Sequence, residues 1–145
     1  MILTTSRKPS RKTRSFAKAL SRFLNWKYVQ RGKISLEDFK NEKYCVISEI
    51  KGNPAFLSFY DGSKKTFEVF LSVSNVKKTE IERGEVVYFG EKYNFFNVLP
   101  ARLLEKFNEK PYFLKKIVEK DEELIFCIGE EPIFKIKILG VKRSD

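Results

Sequence analysis

The chain has 145 residues, of which 42% are hydrophobic and 33% are charged, and its formal net charge is +10. This length suits one domain with a sizeable core, and the balance of residues excludes a disordered chain. Residues 1–33 hold ten lysines or arginines and no acid, whereas residues 34–145 hold nineteen of each sign. The whole positive excess belongs to the N-terminal segment, which indicates a polyanionic partner such as a nucleic acid.

The composition also argues against a membrane-spanning segment and against a metal site. No apolar run approaches the roughly 18–20 residues of a spanning helix, and Met1 to Leu3 is too short for a signal-peptide core. Cys45 and Cys127 lie in predicted strands, and we expect them to be buried there as small hydrophobic residues. Without a histidine, two cysteines cannot form an ordinary zinc site. We therefore predict a cytoplasmic protein with no metal and no cofactor.

The first twenty-five residues predict a strand, a polar turn and a helix. Ile2 and Leu3 form the strand, residues 4–9 the turn, and Ser10 caps the helix. On a helical wheel, four cations fall within a band about 80° wide and the apolar residues fall opposite. The cations are Arg11, Arg14, Lys18 and Arg22, and the apolar residues are Phe16, Ala17, Leu20, Phe23 and Leu24. This phase predicts a docked helix that turns its charge outward.

Cations crowd the start of that helix. Arg7, Lys8, Arg11 and Lys12 lie there with no carboxylate nearby in the sequence. Each opposes the helix dipole by roughly 0.3–1 kcal/mol. The arrangement is understandable if an anion binds at this end, where free N–H groups and the dipole already favour one. A nucleic-acid phosphate is the simplest such anion, and a solvated basic face is the alternative.

Periodicity and turn signals predict the other elements. Alternating strands and hairpin turns at Gly52 and Gly62 are typical of a sheet with antiparallel connections. A second long helix is predicted from Asn97, because it can cap a stretch that carries Leu99, Leu103, Leu104 and Phe107. The predicted strands are 26–30, 45–51, 55–60, 66–74, 86–89, 112–119, 123–128 and 133–141, with a short helix at 35–39.

The two strand starts can be superposed with an ungapped offset of 84 residues. Ile2 and Leu3 then match Val86 and Val87, and Lys18 and Arg22 match Arg102 and Lys106. Duplication and chance matching of apolar positions both remain open. We predict an α+β fold, with residues 1–145 as a single domain of two strand–helix–strand halves, about 1–82 and 83–145.

Catalytic chemistry has little support in the sequence. Without histidine there is no imidazole acid or base. The turn between Thr4 and Ser10 has no glycine, so it cannot wrap a triphosphate as a P-loop does. The aromatic residues alternate with polar ones, which favours a core over a base-stacking surface. We predict no catalytic residues.

Three segments carry a family resemblance. LTTSRKPSRKTRSF at residues 3–16 resembles the opening motif of the Brix-domain family. YVQRGKISL at 28–36 and GNPA at 52–55 resemble the segments that follow it in small archaeal members. The resemblance implies a ribosome biogenesis factor of the branch related to the small-subunit processome, which binds pre-rRNA. It also implies two similar α/β halves, like the anticodon-binding domain of class IIa aminoacyl-tRNA synthetases.

We therefore predict a non-catalytic rRNA-binding protein that assists pre-rRNA processing and folding, with other ribosome assembly proteins as further partners. The alternative is a protein-interaction module whose basic helix binds an acidic partner. Ser6 and Ser10 would add hydroxyl and backbone donors to the RNA site. The cations expected to contact phosphates are Arg7, Lys8, Arg11, Lys12, Arg14, Lys18, Arg22, Arg31 and Lys33.

Overall fold

A ten-stranded sheet organises the chain in the computed structural model, which describes residues 1–74, 76–106 and 115–144. One α-helix occurs among these residues, and no helix in them is long and apolar enough to cross a membrane. The elements are β1 (Ile2–Thr5), α1 (Arg11–Leu24), β2 (Lys27–Tyr28), a 3₁₀ helix (Leu36–Phe39), β3 (Lys43–Ile50), β4 (Asn53–Asp61), β5 (Lys64–Ser74), β6 (Val86–Phe89), β7 (Leu99–Pro100), a second 3₁₀ helix (Ala101–Lys106), β8 (Lys115–Lys120), β9 (Glu123–Ile128) and β10 (Glu131–Arg143).

The strand order is β2-β1-β3-β4-β5-β10-β9-β8-β6-β7. β1 pairs in parallel with β2 and β3, and β6 pairs in parallel with β7 and β8. The other five pairings are antiparallel, and they include the longest ladders. At the centre, β5 pairs with β10, where Leu71 lies opposite Ile138. The prediction of an α+β fold with a mostly antiparallel sheet is confirmed.

α1 forms with the predicted cap and phase. Ser10 has extended dihedral angles, and its Oγ accepts the N–H of Thr13 at 3.1 Å. The helix ends at Leu24, and Asn25 follows in the left-handed region with φ of 60°. All five residues of the predicted apolar stripe are buried, and all four cations of the opposite stripe are exposed.

The buried stripe of α1 reaches strands of both ends of the sheet. Leu3, from β1, belongs to the same core cluster as the helix. Phe23 packs edge-on against Phe126 of β9 at 5.1 Å between ring centroids, and Phe16 meets Phe134 of β10 at 5.7 Å. One helix therefore packs against strands from both halves of the sheet.

The other face of the sheet is covered near β1 by residues 29–39. A smaller buried cluster forms there around Ile2, Phe39, Tyr44 and Val46. The predicted short helix occurs as the first 3₁₀ helix, and Ser35 with Asp38 forms its capping box. Its cap fixes the path by which the chain crosses this face before β3 begins.

The predicted helix from Asn97 is wrong. Leu99 and Pro100 form β7, and residues 101–106 form a 3₁₀ helix; Phe107 lies outside the described residues. Asn97 has φ of 52°, whereas an N-cap needs extended dihedral angles. Leu99 pairs with Val87 of β6. Long-range pairing therefore outweighs the local helix signal.

The ungapped 84-residue superposition is also wrong in detail. Leu3 shares the main core cluster with Val86 and Tyr88, whereas the offset matches it to Val87, which alternation turns to the opposite face. A shift of one residue reverses the faces of a strand. In addition, Leu3 lies 25 residues before its β2 partner Tyr28, but Val87 lies only 12 before Leu99. The second interval has no room for a helix like α1.

Candidate nucleic-acid interface

The turn from Ser6 to Pro9 joins β1 to α1 and carries the first two cations. The N–H of Ser6 donates to the carbonyl oxygen of Ile47 at 3.0 Å, which extends the sheet pairing by one residue. Lys8 adopts φ of 53°, in the left-handed region that few non-glycine residues occupy. Arg7 and Lys8 are both exposed. The turn therefore presents two cations to solvent from a constrained backbone.

The start of α1 holds a carboxylate that sequence reasoning missed. Glu49 of β3 accepts the N–H of Ser10 at 3.2 Å and the hydroxyl of Thr13 at 2.5 Å. The hydrogen bond from Thr13 lowers the pKa of Glu49, more than its partial burial raises it. A strand that lies far along the sequence thus supplies the anion expected at this helix end.

Contacts within the protein correct the predicted role of Ser6 and Ser10 as backbone donors to a ligand. The N–H of Ser6 is bound to Ile47 and that of Ser10 to Glu49. The hydroxyl of Ser10 donates to the carbonyl oxygen of Gly52 at 2.7 Å. A ligand phosphate would therefore meet side chains along the helix and not these N–H groups.

We call the exposed residues Arg11, Arg14, Lys18 and Arg22 the cationic face. Within the described residues, none of them forms an ion pair with an acid. Eleven intervals separate the first from the last, which corresponds to roughly 16 Å along the helix axis. Lys12 lies beside this face, but its Nζ donates to Asn53 Oδ1 at 2.9 Å. The cationic face is thus a continuous basic surface.

The structure brings a second basic segment to the turn. Burial and then the nearby charge of Arg7 lower the pKa of Arg31, although the two residues are 24 apart in sequence. The Nε–H of Arg31 donates to the carbonyl oxygen of Ile34 at 3.1 Å, which leaves its remaining guanidinium N–H groups for other acceptors. Lys33 is exposed in the adjoining turn. The neighbouring positive charges of Arg7 and Arg31 favour binding of an anion near them.

Tyr28 of β2 has a buried hydroxyl close to the cationic face. Its oxygen has no hydrogen-bond partner within the described part of the chain. Burial raises the pKa of Tyr28, and the charge of Arg14 partly opposes this effect. Arg14 is therefore near a buried hydroxyl that has no partner within the described residues.

A buried lysine holds the other end of α1. The Nζ of Lys115, whose side chain is 1% exposed, donates to the carbonyl oxygen of Phe23 at 2.7 Å and to Asn25 Oδ1 at 3.0 Å. It also lies 3.4 Å from the carbonyl oxygen of Arg22. Burial lowers the pKa of Lys115 to about 8. Sequence reasoning missed this residue. The available signal was strand alternation, which places Lys115 on the same face as Ile117, two residues later.

The two cysteines lie where predicted. Cys45 and Cys127 are free and buried in β3 and β9, and burial raises the pKa of both thiols. The described residues hold no cluster of three or more histidines, cysteines and acids that could bind a metal ion.

Comparison with known proteins gives relatives over the whole chain, although no family model matches. The chain is 46% identical over 149 residues to a probable Brix domain-containing ribosomal biogenesis protein of Archaeoglobus fulgidus, covering 99% of this chain and 97% of the relative. A protein of the same description from Methanococcoides burtonii is 30% identical, with 99% and 97% covered.

Two solved structures are similar to this chain. The crystal structure of Mil, an archaeal Imp4-like protein, superposes with a TM-score of 0.78 at 29% identity and covers 99% of both chains. That of a probable ribosomal biogenesis protein from Aeropyrum pernix K1 has a TM-score of 0.62 at 18% identity, covering 99% of this chain and 95% of that one. The second likeness shows the fold alone.

Proposed function

The chain belongs to the Brix-domain family of ribosomal biogenesis proteins, and on this basis we propose that it is a non-catalytic rRNA-binding assembly factor. It would act in the cytoplasm and assist the processing and folding of pre-rRNA, beside other assembly proteins. The observation that carries the proposal is the cationic face, which α1 turns to solvent while its apolar stripe is fully used by the core. Such a surface binds polyanions without any change in the fold.

RNA phosphates would lie along the side of α1 and over the preceding turn. Glu49 occupies the positive end of the helix dipole, so a phosphate there would be repelled. Arg7 and the nearby Arg31 extend the surface beyond the helix start. Contacts of this kind position an RNA and carry little sequence information. The contact residues would be Arg7, Lys8, Arg11, Lys12, Arg14, Lys18, Arg22, Arg31 and Lys33.

We further propose that the domain consists of two related halves, like the anticodon-binding domain of class IIa aminoacyl-tRNA synthetases. Two observations support this. The strand order reads alike from both edges toward the β5–β10 pair. Leu3 of β1 and Val86 of β6 face the same core, and Glu49 lies four residues after Cys45, the partner of Leu3. Glu119 likewise lies four residues after Lys115, the partner of Val86. Glu119 also accepts backbone N–H groups from the segment after β6, as Glu49 does after β1.

Cross-linking in cells, followed by sequencing of bound RNA, tests the proposed function. We expect pre-rRNA with the natural protein and a strong reduction with Arg14→Glu and Lys18→Glu combined. The matched control is Lys120→Glu with Lys137→Glu, two exposed cations on β8 and β10 that make the same change in net charge. Recovery of an acidic protein and no RNA would contradict the proposal and favour a protein-interaction module.

A further inference from the structure

A groove lies between one edge of α1 and the segment that connects β5 to β6. Its volume is about 390 Å³, within the range of small-ligand sites. The helix contributes Ser15, Lys18, Ala19 and Arg22, at the spacing that brings side chains to one edge of a helix. Residues 76–81 form the opposite wall. The groove therefore opens directly beside the cationic face, with which it shares Lys18 and Arg22.

Contacts at both ends fix the opposite wall. The N–H of Lys77 donates to the carbonyl oxygen of Ile133 at 2.9 Å. At the other end, Asn25 Nδ2 donates to the carbonyl oxygen of Gly84 at 2.7 Å, and Ile81 packs against the main core between these anchors. These contacts attach the wall to β10 at one end and to the C-cap residue of α1 at the other, so the groove is a feature of the fold.

The lining of the groove combines positive charge with apolar side chains. Lys18, Arg22, Lys77 and Lys78 line it, with Glu80 as the one acid among its lining residues. Lys77 also binds Glu131 at 3.2 Å, but both side chains are more than half exposed and the pair is weak. Ala19, Val76 and Ile81 supply apolar surface, and Ser15 and Thr79 supply hydroxyl groups. A fitting ligand has an anionic edge, hydrogen-bonding groups and an apolar body.

We propose that this groove receives a single unpaired nucleotide of the bound RNA. The inference rests on the proposed function and adds a preference for unpaired over fully paired RNA. An RNA strand that follows the cationic face passes the opening of the groove at Lys18 and Arg22. Its base can then stack on the guanidinium plane of Arg22 beside the apolar residues of the groove, while its phosphates keep their contacts. Unpaired bases of bulges and loops are commonly bound by stacking on arginine planes or aromatic rings. An acidic peptide would use the cations but leave the apolar side chains without a matching group.

Two synthetic RNA hairpins test this inference. They are identical except that one carries a single bulged 2-aminopurine nucleotide. We expect the bulged hairpin to bind about tenfold more tightly in fluorescence anisotropy. The 2-aminopurine fluorescence should change on binding. Thr79→Leu fills the groove from its exposed wall without changing charge, so it should remove the tenfold preference and leave the affinity for the paired hairpin unchanged.

Ala19→Leu fills the same groove from the helix, and thermal melting shows whether that variant is folded. Equal binding of both hairpins by the natural protein would overturn the groove inference and leave the proposed function standing. Binding of neither hairpin would overturn both. If a polyglutamate peptide bound and lost affinity in Thr79→Leu, the groove would belong to a protein ligand and the inference would be wrong.

Discussion

Two residues with ionisable side chains, Glu49 and Lys115, form hydrogen bonds with the opposite ends of α1. The carboxylate of Glu49 lies at the positive end of the helix dipole, and the ammonium of Lys115 lies at the negative end. They come from β3 and β8, which have four other strands between them in the sheet. Both lie on the strand phase that faces the main core, where a charged residue is unusual without a partner. Each therefore links α1 to a different end of the sheet.

Glu49→Gln should destabilise the protein by about 1–2 kcal/mol at pH 7, because charge-assisted hydrogen bonds are lost. The hydrogen bond from Thr13 lowers the pKa of Glu49, so the unfolded chain binds its proton first as pH falls. Its contribution is therefore present above about pH 4.3 and disappears as pH falls through the lower folded pKa. Urea unfolding of both proteins between pH 7 and pH 3 measures this. A stability difference that does not shrink in acid would contradict the prediction.

Lys115 should give a stability change in alkali. Burial lowers its pKa to about 8, whereas an unfolded lysine has a pKa of about 10.4. Between these values the unfolded state binds more protons than the native state. The unfolding free energy of the natural protein should therefore rise with pH relative to Lys115→Met. Chemical denaturation of both proteins from pH 7 to pH 10.5 measures the difference, and a constant difference would show that Lys115 keeps its ordinary pKa.

At the scale of the element, α1 joins the core to the candidate RNA site. Its two faces are separate in phase, so the core and the site can be altered independently. Leu20 and Phe23 are fully buried, whereas Arg14 and Lys18 are exposed. The separation of apolar from charged residues around α1, its N-cap and its C-terminal Asn25 are all local features of the sequence. The same helix therefore supports one prediction on stability and one on binding.

Truncation of the buried face should be costly. Leu20→Ala or Phe23→Ala should each lower the unfolding free energy by about 2–5 kcal/mol, because a cavity is left in a packed core. Arg14→Ala and Lys18→Ala should stay within about 0.5 kcal/mol of the natural protein. Thermal or urea unfolding compares the four variants. Equal losses for Arg14→Ala and Leu20→Ala would show that the exposed face is needed for folding.

The cationic face should determine the salt dependence of RNA binding. If each of its residues neutralises one phosphate, each lost contact reduces the log–log slope of affinity against salt by about 0.7–0.9. Arg14→Glu with Lys18→Glu should weaken binding and flatten the slope together. Filter binding at several salt concentrations measures both quantities.

The control for this experiment is Lys120→Glu with Lys137→Glu, which leaves α1 intact and lowers the net charge equally. We expect only a small loss of affinity from this pair, because its residues lie away from the cationic face. Equal effects from the two pairs would indicate general attraction between RNA and a basic protein, and would remove the case for a site on α1.

At the scale of the molecule, one sheet runs through the whole chain. β5 and β10 pair directly, with Leu71 opposite Ile138 on the core side. α1 packs on strands from both sides of this junction, because it contacts β1 to β4 and its Phe16 and Phe23 pack on β10 and β9. Trp26 adds a contact with Phe96, 5.8 Å away between ring centroids. The two ends of the chain therefore share one core, which is typical of a cooperative unit.

We expect unfolding in a single transition. The fluorescence of Trp26, which reports its contact with Phe96, and the far-ultraviolet circular dichroism should change at the same urea concentration. Phe134→Ala should lower that midpoint for both signals, since Phe134 contacts α1 from β10. Two separated transitions would mean that the halves unfold independently and would contradict a single domain.

The sequence alone determined the features that depend on near neighbours. Ser10 caps α1 as its side chain predicts, and the phase of the next fourteen residues places every expected side chain inside or outside. β6 and β9 begin and end where the alternation predicts. The opening motif identified the family, which the relatives confirm. Capping and periodicity act over a few residues, so they can be recognised without knowing the fold. Which of the exposed cations contact RNA stays a prediction.

Only the tertiary structure decided the contacts between distant residues. Asn97 carried a good local helix signal, yet the pairing of Leu99 with Val87 outweighed it. Neither the carboxylate of Glu49 at the start of α1 nor the proximity of Arg7 to Arg31 follows from spacing along the chain. Strand order decides which residues meet, and it depends on which arrangement of the whole chain buries the most apolar surface with its hydrogen bonds made. That competition involves the whole molecule, so no short stretch of sequence contains its outcome.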